Sequence, residues 1–167
     1  PVAPPDRSPE VATGGETAGR VRLGEWLAEI GDYDPSTIGT TSRLSPFLHF
    51  GCVSPLECAV RADGADEWIR QMCWRDFYAQ LLRAFPETSR EDLYERRYGR
   101  GGRGARFDAW RDGRTGYPLV DAGMRQLARE GFMPNRVRLV AASFLVKDLE
   151  IDWRHGAAHF EELLLDG

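Results

Sequence analysis

GFMPNRVRLVAASFLVKDLEIDWR, residues 131–154, decides how the rest of this chain reads. Pro134 opens a helix, since the first helical residue has no use for the amide hydrogen that proline lacks. The helix is predicted to run to about Leu149. Its interior is apolar, yet its first turn carries Asn135, Arg136 and Arg138. Amide and guanidinium groups at one end of an otherwise apolar helix suggest a buried recognition site. Asp152 supplies a cap for a last helix through about Leu165, with Trp153 at its start.

Working outward, Pro118 opens a helix with Val120, Met124 and Leu127 on one face and Gly131 just past its end. A long helix is predicted over about 66–85, where Pro86 stops it. Ser54-Pro55-Leu56-Glu57 is a capping box that starts another. Leu23, Trp26, Leu27 and Ile30 follow the i, i+3, i+4, i+7 spacing of an amphipathic helix, which Gly31 is expected to end. Residues 31–43 and the Gly/Arg-rich span 98–106 read as loops. Residues 1–20, rich in Pro, Gly, Ala and Thr, read as a linker, leaving 21–167 as a helical domain. No segment sustains period-2 alternation, so the expected fold is all-α, a compact array of helices.

Composition narrows the classes. With 42% hydrophobic and 29% charged residues in 167, the chain has the balance of an ordinary globular domain that buries a core. No apolar run approaches the roughly 20 residues that a membrane helix needs, so no membrane partner is expected. There is neither an initiator Met nor a signal peptide, and the chain is expected to be an internal piece of a longer protein. Cys52, Cys58 and Cys73 follow no metal-ligand spacing and read as thiols of a reducing, cytoplasmic compartment. The net charge of −4 argues weakly against a nucleic-acid partner. The positive charge is nonetheless almost all arginine, 21 Arg against Lys147 alone, and eight Arg fall within 90–114. That cluster is either a solvated loop or a surface for phosphates.

Three further blocks carry candidate chemistry. Thr41-Ser42-Arg43-Leu44-Ser45-Pro46 sets hydroxyls and a guanidinium before a short helix; it is either helix capping or an anion site. Trp74-Arg75-Asp76-Phe77-Tyr78 lies inside the long helix, as core or as a wall on which a base stacks. His155 and His159 share a helix face at i, i+4, without the partners that would make a metal site.

The blocks 41–51, 74–78, 113–127 and 131–154, in that order and at those separations, resemble the flavin-binding domain of the photolyase/cryptochrome family. The resemblance covers roughly 21–167 and is nearest to photolyases of cyclobutane pyrimidine dimers. It implies FAD as cofactor and UV-damaged DNA as partner. It also implies an antenna domain on the N-terminal side and a monomeric intact protein. Cofactor contacts fall on Thr41, Ser42, Arg43, Leu44 and Ser45, with Tyr33 near the phosphates. Arg138 would pair with Asp166 beside the isoalloxazine ring, with Gly167 adjoining. Trp74, Arg75, Tyr78, Asn135 and Arg136 would contact damaged DNA, the Asn135–Arg136 pair also meeting the flavin edge.

Two positions depart from the family's pattern. Gln71 stands where a carboxylic acid usually hydrogen-bonds the dimer; an amide still donates but shares no proton. Trp153 matches the middle of the family's three electron-carrying tryptophans. No Trp stands near Arg100 for the distal one, so Trp110 and Tyr98 are the candidate substitutes. The resemblance also implies further flavin-covering residues after Gly167, so weak flavin retention and exposed apolar helix faces are expected. Three functions remain open: light-driven dimer repair, a cryptochrome-type photoreceptor that does not repair, and a flavin-free helical DNA-binding module.

Overall fold

Helices α1 (Glu16–Glu29), α2 (Ser45–His49), α3 (Pro55–Arg61) and α4 (Asp66–Ala84) form the first of two compact units. Helices α5 (Ala105–Arg111), α6 (Pro118–Glu130), α7 (Asn135–Ser143) and α8 (Trp153–Leu163) form the second. The computed structural model describes residues 10–92 and 101–167, and no β-strand occurs among them. The all-α expectation therefore holds.

In the first unit, Leu23 and Trp26 of α1 pack with Leu44, Phe47, Leu48, Val53, Cys58, Ala62 and Trp68. Trp26 meets Tyr33 edge-on at 5.5 Å and Trp68 at 6.1 Å. Helix α1 begins at Glu16, so residues 16–20, read from the sequence as linker, are helical. The reason is close packing at Gly19, where a Cβ would stand 2.7 Å from Val53 Cγ2 and 3.0 Å from Phe47 Cδ1. Gly31 does not end α1 through a left-handed residue. It lies inside a 3₁₀ turn, Ile30–Asp32, closed by Tyr33 N–H donating to Ile30 O. The Ser54 cap is present, its hydroxyl accepting from Glu57 N at 3.5 Å. Only Trp68 of α4 is buried, and beyond it the helix carries its aromatic residues into solvent.

The second unit is centred on Phe107 and Trp110 of α5, packed with Val120, Met124, Leu127, Met133, Val137, Ala141, Phe144, Leu145 and Ile151. The sequence pattern left α5 unread, because one i, i+3 step of Phe107 and Trp110 is too short a period to declare a helix. The expected loop 98–106 therefore ends at Gly104, and its residues 98–100 lie outside the described ones. Helix α6 ends as expected, Gly131 taking the left-handed conformation at φ 63°. Helix α7 starts after Pro134 and widens at Phe144–Asp148 into a π-helical turn, with Leu149 N–H reaching back five residues to Phe144 O. Asp152 caps α8 by accepting from Arg154 N at 3.0 Å. A single bridge joins Gly101 to Ile151, with Gly101 N donating to Glu150 O at 2.7 Å and Asp152 N to Gly101 O at 2.9 Å.

Asp121 organises the turn before α6. Its Oδ1 accepts from Thr115 N at 2.7 Å and Thr115 Oγ1 at 2.6 Å, and its Oδ2 from Gly116 N at 2.9 Å. Burial alone raises its pKa, but these three donors and nearby Arg125 outweigh that and hold it below the usual value. An Asp121→Asn amide would turn an N–H₂ toward one of these donors. The variant is expected to lose about 2 kcal/mol of stability, the cost of stranding a buried donor. Urea denaturation followed by tryptophan fluorescence measures it, and an unmoved midpoint would contradict this reading.

His159 is also held below its usual value, but here burial is the main cause. Its ring meets Trp110 at 5.7 Å, and its Nε2 is buried without a hydrogen-bond partner among the described residues. Burial first lowers its pKa; Glu162 and Asp112 push up, while Arg111 and Arg103 push down. With a folded pKa below the unfolded one, the unfolded chain binds the extra proton in the window between them. Stability should therefore fall as pH drops below about 6.5, the ordinary imidazole value. Melts from pH 7.5 downward should show this fall, and His159→Phe, which keeps the ring contact, should flatten it.

Candidate functional site

The first unit presents two candidate elements. In the loop before α2, Leu44 is fully buried, Thr41, Ser42 and Ser45 are half-buried, and Arg43 is exposed. Arg43 has φ 53°, a left-handed conformation that costs a non-glycine residue energy and needs outside support. The hydroxyls do not serve as a simple cap for α2, whose N-cap Leu44 has no side-chain cap bond. Instead Ser42 Oγ accepts from Leu44 N at 3.3 Å, and Ser42 O accepts from Arg22 Nε at 2.8 Å. Just upstream, Asp34 O accepts from the Thr37 and Thr40 hydroxyls, which folds residues 34–40 into a polar turn. Tyr33 is half-buried against Trp26, and burial first, then Glu67 and Asp34, raises its phenol pKa.

The other element is the outer half of α4. Trp74, Phe77 and Tyr78 are 49%, 50% and 56% exposed, so they are not core. They pack on each other, Trp74 stacked with Tyr78 at 6.0 Å and edge-on to Phe77 at 5.6 Å. Arg75 Nη1 lies 3.0 Å from Asp76 Oδ1. Gln71 is half-buried one turn before Trp74. An exposed aromatic group beside a guanidinium and an amide offers a base both a stacking face and hydrogen-bond donors.

In the second unit, Asn135 and Arg136 open α7 and are exposed. Arg138 is fixed on three sides. Its Nε donates to Met133 O at 2.7 Å, its Nη2 to Asp166 at 2.9 and 3.2 Å, and its guanidinium lies 5.9 Å from the Phe132 ring. The Asp166 side chain is only 10% exposed, so this pair is shielded from the screening that weakens surface pairs. Gly167 N donates to Leu164 O at 3.3 Å. Trp153 is half-buried with the Arg154 guanidinium 5.0 Å above its ring.

The substitute for a distal tryptophan does not hold for Trp110. That indole is fully buried and bonded through Nε1 to Ala141 O at 3.0 Å, so it cannot meet solvent as a surface terminus must. Tyr98 lies outside the described residues. His155 and His159 pack edge-on against Phe107 and Trp110. Among the described residues, no group of three or more His, Cys, Asp and Glu could hold a metal. No helix there is long and apolar enough to cross a membrane. Of the arginine cluster at 90–114, Arg111 and Arg114 pair with Asp108 and Asp112, whose carboxyl the hydrogen bonds from Arg111 and Arg114 hold down to about 2.

Sequence reasoning missed Arg22, whose contact spans 20 residues and leaves no local mark. It also missed Phe132 beneath Arg138 and the Asp121 hub, though an acid just after Pro118 is a readable helix-start signal.

Known proteins resemble this chain in sequence and in fold. The sequence pattern of the FAD binding domain of DNA photolyase matches residues 68–167. A deoxyribodipyrimidine photo-lyase of Streptomyces griseus is 50% identical over 171 residues, covering 96% of this chain and 37% of that protein. The crystal structure of a Synechocystis cryptochrome superposes with a TM-score of 0.83 at 36% identity, over 100% of this chain and 39% of that one. An archaeal photolyase from Sulfolobus tokodaii, solved with two FAD molecules, gives 0.78 at 36% identity, over 92% and 36%. The chain thus spans little more than a third of the length of these relatives. By sequence pattern, identity and fold together, it belongs to the family of the FAD binding domain of DNA photolyase.

Proposed function

We propose that this chain is the flavin-holding part of a light-driven enzyme that splits cyclobutane pyrimidine dimers in DNA. The observation that carries the reading is the exposed Trp74–Tyr78 stack with Gln71 and Arg75 on α4, a platform for bases where a core face would be expected. The 50% identity to a deoxyribodipyrimidine photo-lyase supports the same reading.

The residues present fit FAD by the chemistry of their donors. Thr41, Ser42, Arg43 and Ser45 offer hydroxyls, a guanidinium and main-chain amides suited to phosphate oxygens, and Leu44 anchors the loop in the core. Arg138, tied to Asp166, offers a fixed positive charge suited to an electron-rich ring system. Tyr33 and Gly167 adjoin these elements in sequence. Reduced FAD, when bound, supplies the light-excited electron that opens the cyclobutane ring. The chain's own residues bind and orient. Trp74 stacks on the extruded base, and Gln71 donates an amide hydrogen to a pyrimidine carbonyl. Arg75, Tyr78, Asn135 and Arg136 meet the DNA around it. Extrusion costs about a few kcal/mol, least for a damaged and poorly stacked pair. Trp153 would be this chain's member of an electron path toward bound FAD. An antenna domain on the N-terminal side, a monomeric whole protein and a cytoplasmic location complete the reading.

A cryptochrome-type photoreceptor is the second reading. Gln71 favours it, because an amide in place of a carboxylic acid cannot share a proton with the dimer. The full-length protein, reconstituted with FAD and illuminated on dimer-bearing DNA, separates the two. Repaired pyrimidines are the expected product, and a retained flavin spectrum without repair would favour the photoreceptor.

Two outcomes follow for the platform. Trp74→Ala should weaken dark binding to dimer-bearing DNA by about 1–3 kcal/mol, the worth of one base–aromatic stack. Fluorescence anisotropy on damaged and undamaged duplexes reads this, and equal losses on both would argue against a stacked, extruded base. Gln71→Glu should raise the quantum yield of repair, and no change or a drop would remove the assigned role of position 71.

A further inference from the structure

Arg22 sits on α1, well before the loop 41–45, and neither its spacing nor its neighbours suggest a ligand. Its Nε donates to the main-chain carbonyl of Ser42 at 2.8 Å. The rest of its guanidinium is held on α1 itself, Nη1 lying 3.0 Å from Glu25 Oε2 and Nη2 3.9 Å from Glu29 Oε2. The Ser42 carbonyl belongs to the rigid peptide group preceding Arg43, and φ of Arg43 is the rotation that orients that group against Arg43 Cα. Tethering this carbonyl therefore restrains the angle that stands at 53°. On the other side, Ser42 Oγ accepts from Leu44 N at 3.3 Å, so both peptide groups flanking Arg43 are tethered. Leu44 is right-handed at φ −88°, ψ −10°. Consecutive residues of opposite hand turn their N–H groups to one side, a concavity suited to anionic oxygens, in which the Leu44 N–H is already engaged by Ser42 Oγ.

We propose that Arg22 is the positioning residue of the phosphate loop. It holds the Ser42 carbonyl so that Arg43 keeps its left-handed conformation and the loop stays ready for a pyrophosphate. This rests on the reading of residues 41–45 as the part of the chain that holds the phosphates of FAD. Arg22 acts through the main chain of another residue, and Glu25 and Glu29 balance its charge.

The test has two arms. One needs no flavin: φ at residue 43 is determined in the free Arg22→Met and Arg22→Lys variants by crystallography or NMR. Arg43 should leave the left-handed region in Arg22→Met and stay there in Arg22→Lys, which keeps a donor. An unchanged φ in Arg22→Met overturns the proposal; if that variant does not fold, loss of the left-handed φ in Arg22→Gln, whose amide is too short to span, decides in its place. The other arm titrates FAD and riboflavin, which lacks phosphates, against the full-length protein. Arg22→Met should weaken FAD about tenfold, the equivalent of one charge-assisted hydrogen bond, and leave riboflavin unchanged. In an Arg43→Gly background, where glycine takes the left-handed region without strain, the same change should cost within about twofold. An equal loss for riboflavin, or an equal FAD loss with Gly at 43, overturns the proposal. A wild-type protein that binds FAD no more tightly than riboflavin refutes the phosphate-loop reading instead, while the conformational arm still decides the role of Arg22.

Discussion

Trp110 is the side chain on which the second unit depends. Its indole is fully buried and touches Phe107, His159 and Phe160, so it joins α5 to α8. Its Nε1 reaches Ala141 O and ties both to α7. At about 25 cal/mol per Å², an indole burying roughly 200 Å² is worth about 5 kcal/mol of transfer free energy. Its hydrogen bond adds about 1 kcal/mol net, but leaving the N–H unpaired would cost more than that. Packing thus supplies the stability, and the hydrogen bond sets which turn of α7 faces α5. Ala141 lies in the last regular turn before the helix widens at Phe144, so this attachment sits next to the π-helical turn.

Fixed polar groups occur in each unit, built on different plans. Arg138 is gripped by a carbonyl and an aromatic face from the segment before α7 and by a carboxylate from the segment after α8. The loop 41–45 is instead gripped through its own peptide groups, by Arg22 and the Ser42 hydroxyl, with Leu44 as an apolar anchor. In both cases the chain itself holds the polar groups in place, so their ordering belongs to folding.

Much of this was legible in the sequence where chemistry is local. Pro118, Gly131, Pro134, Ser54 and Asp152 marked helix ends because each satisfies or removes a main-chain group at a known offset. Trp74, Arg75 and Asn135 stood out by residue type. What stayed hidden was set by distant contacts. Helix α1 reaches back to Glu16 because Gly19 lets it lie on Phe47 and Val53, which no periodicity around Gly19 reveals. The three rings at 74–78 have the spacing of a core face, and only the ending of that core at Trp68 puts them in solvent. Trp110 looked like a candidate for the surface because sequence does not record depth.

The pairing of Gly101 with Ile151 involves peptide groups on both sides. Such a fastening is itself indifferent to side chains, although Ile151 is also held in the core and Asp152 caps α8. The tolerance is one-sided. A Cβ at Gly101 would stand 2.8 Å from Glu150 O, which leaves that position little evolutionary freedom. Glu150, left-handed at φ 56° without being glycine, is where drift has room to improve the fold, toward glycine or asparagine. Natural variation around Trp153 should therefore be lopsided, frozen at Gly101, confined to apolar residues at the buried Ile151 and permissive at Glu150.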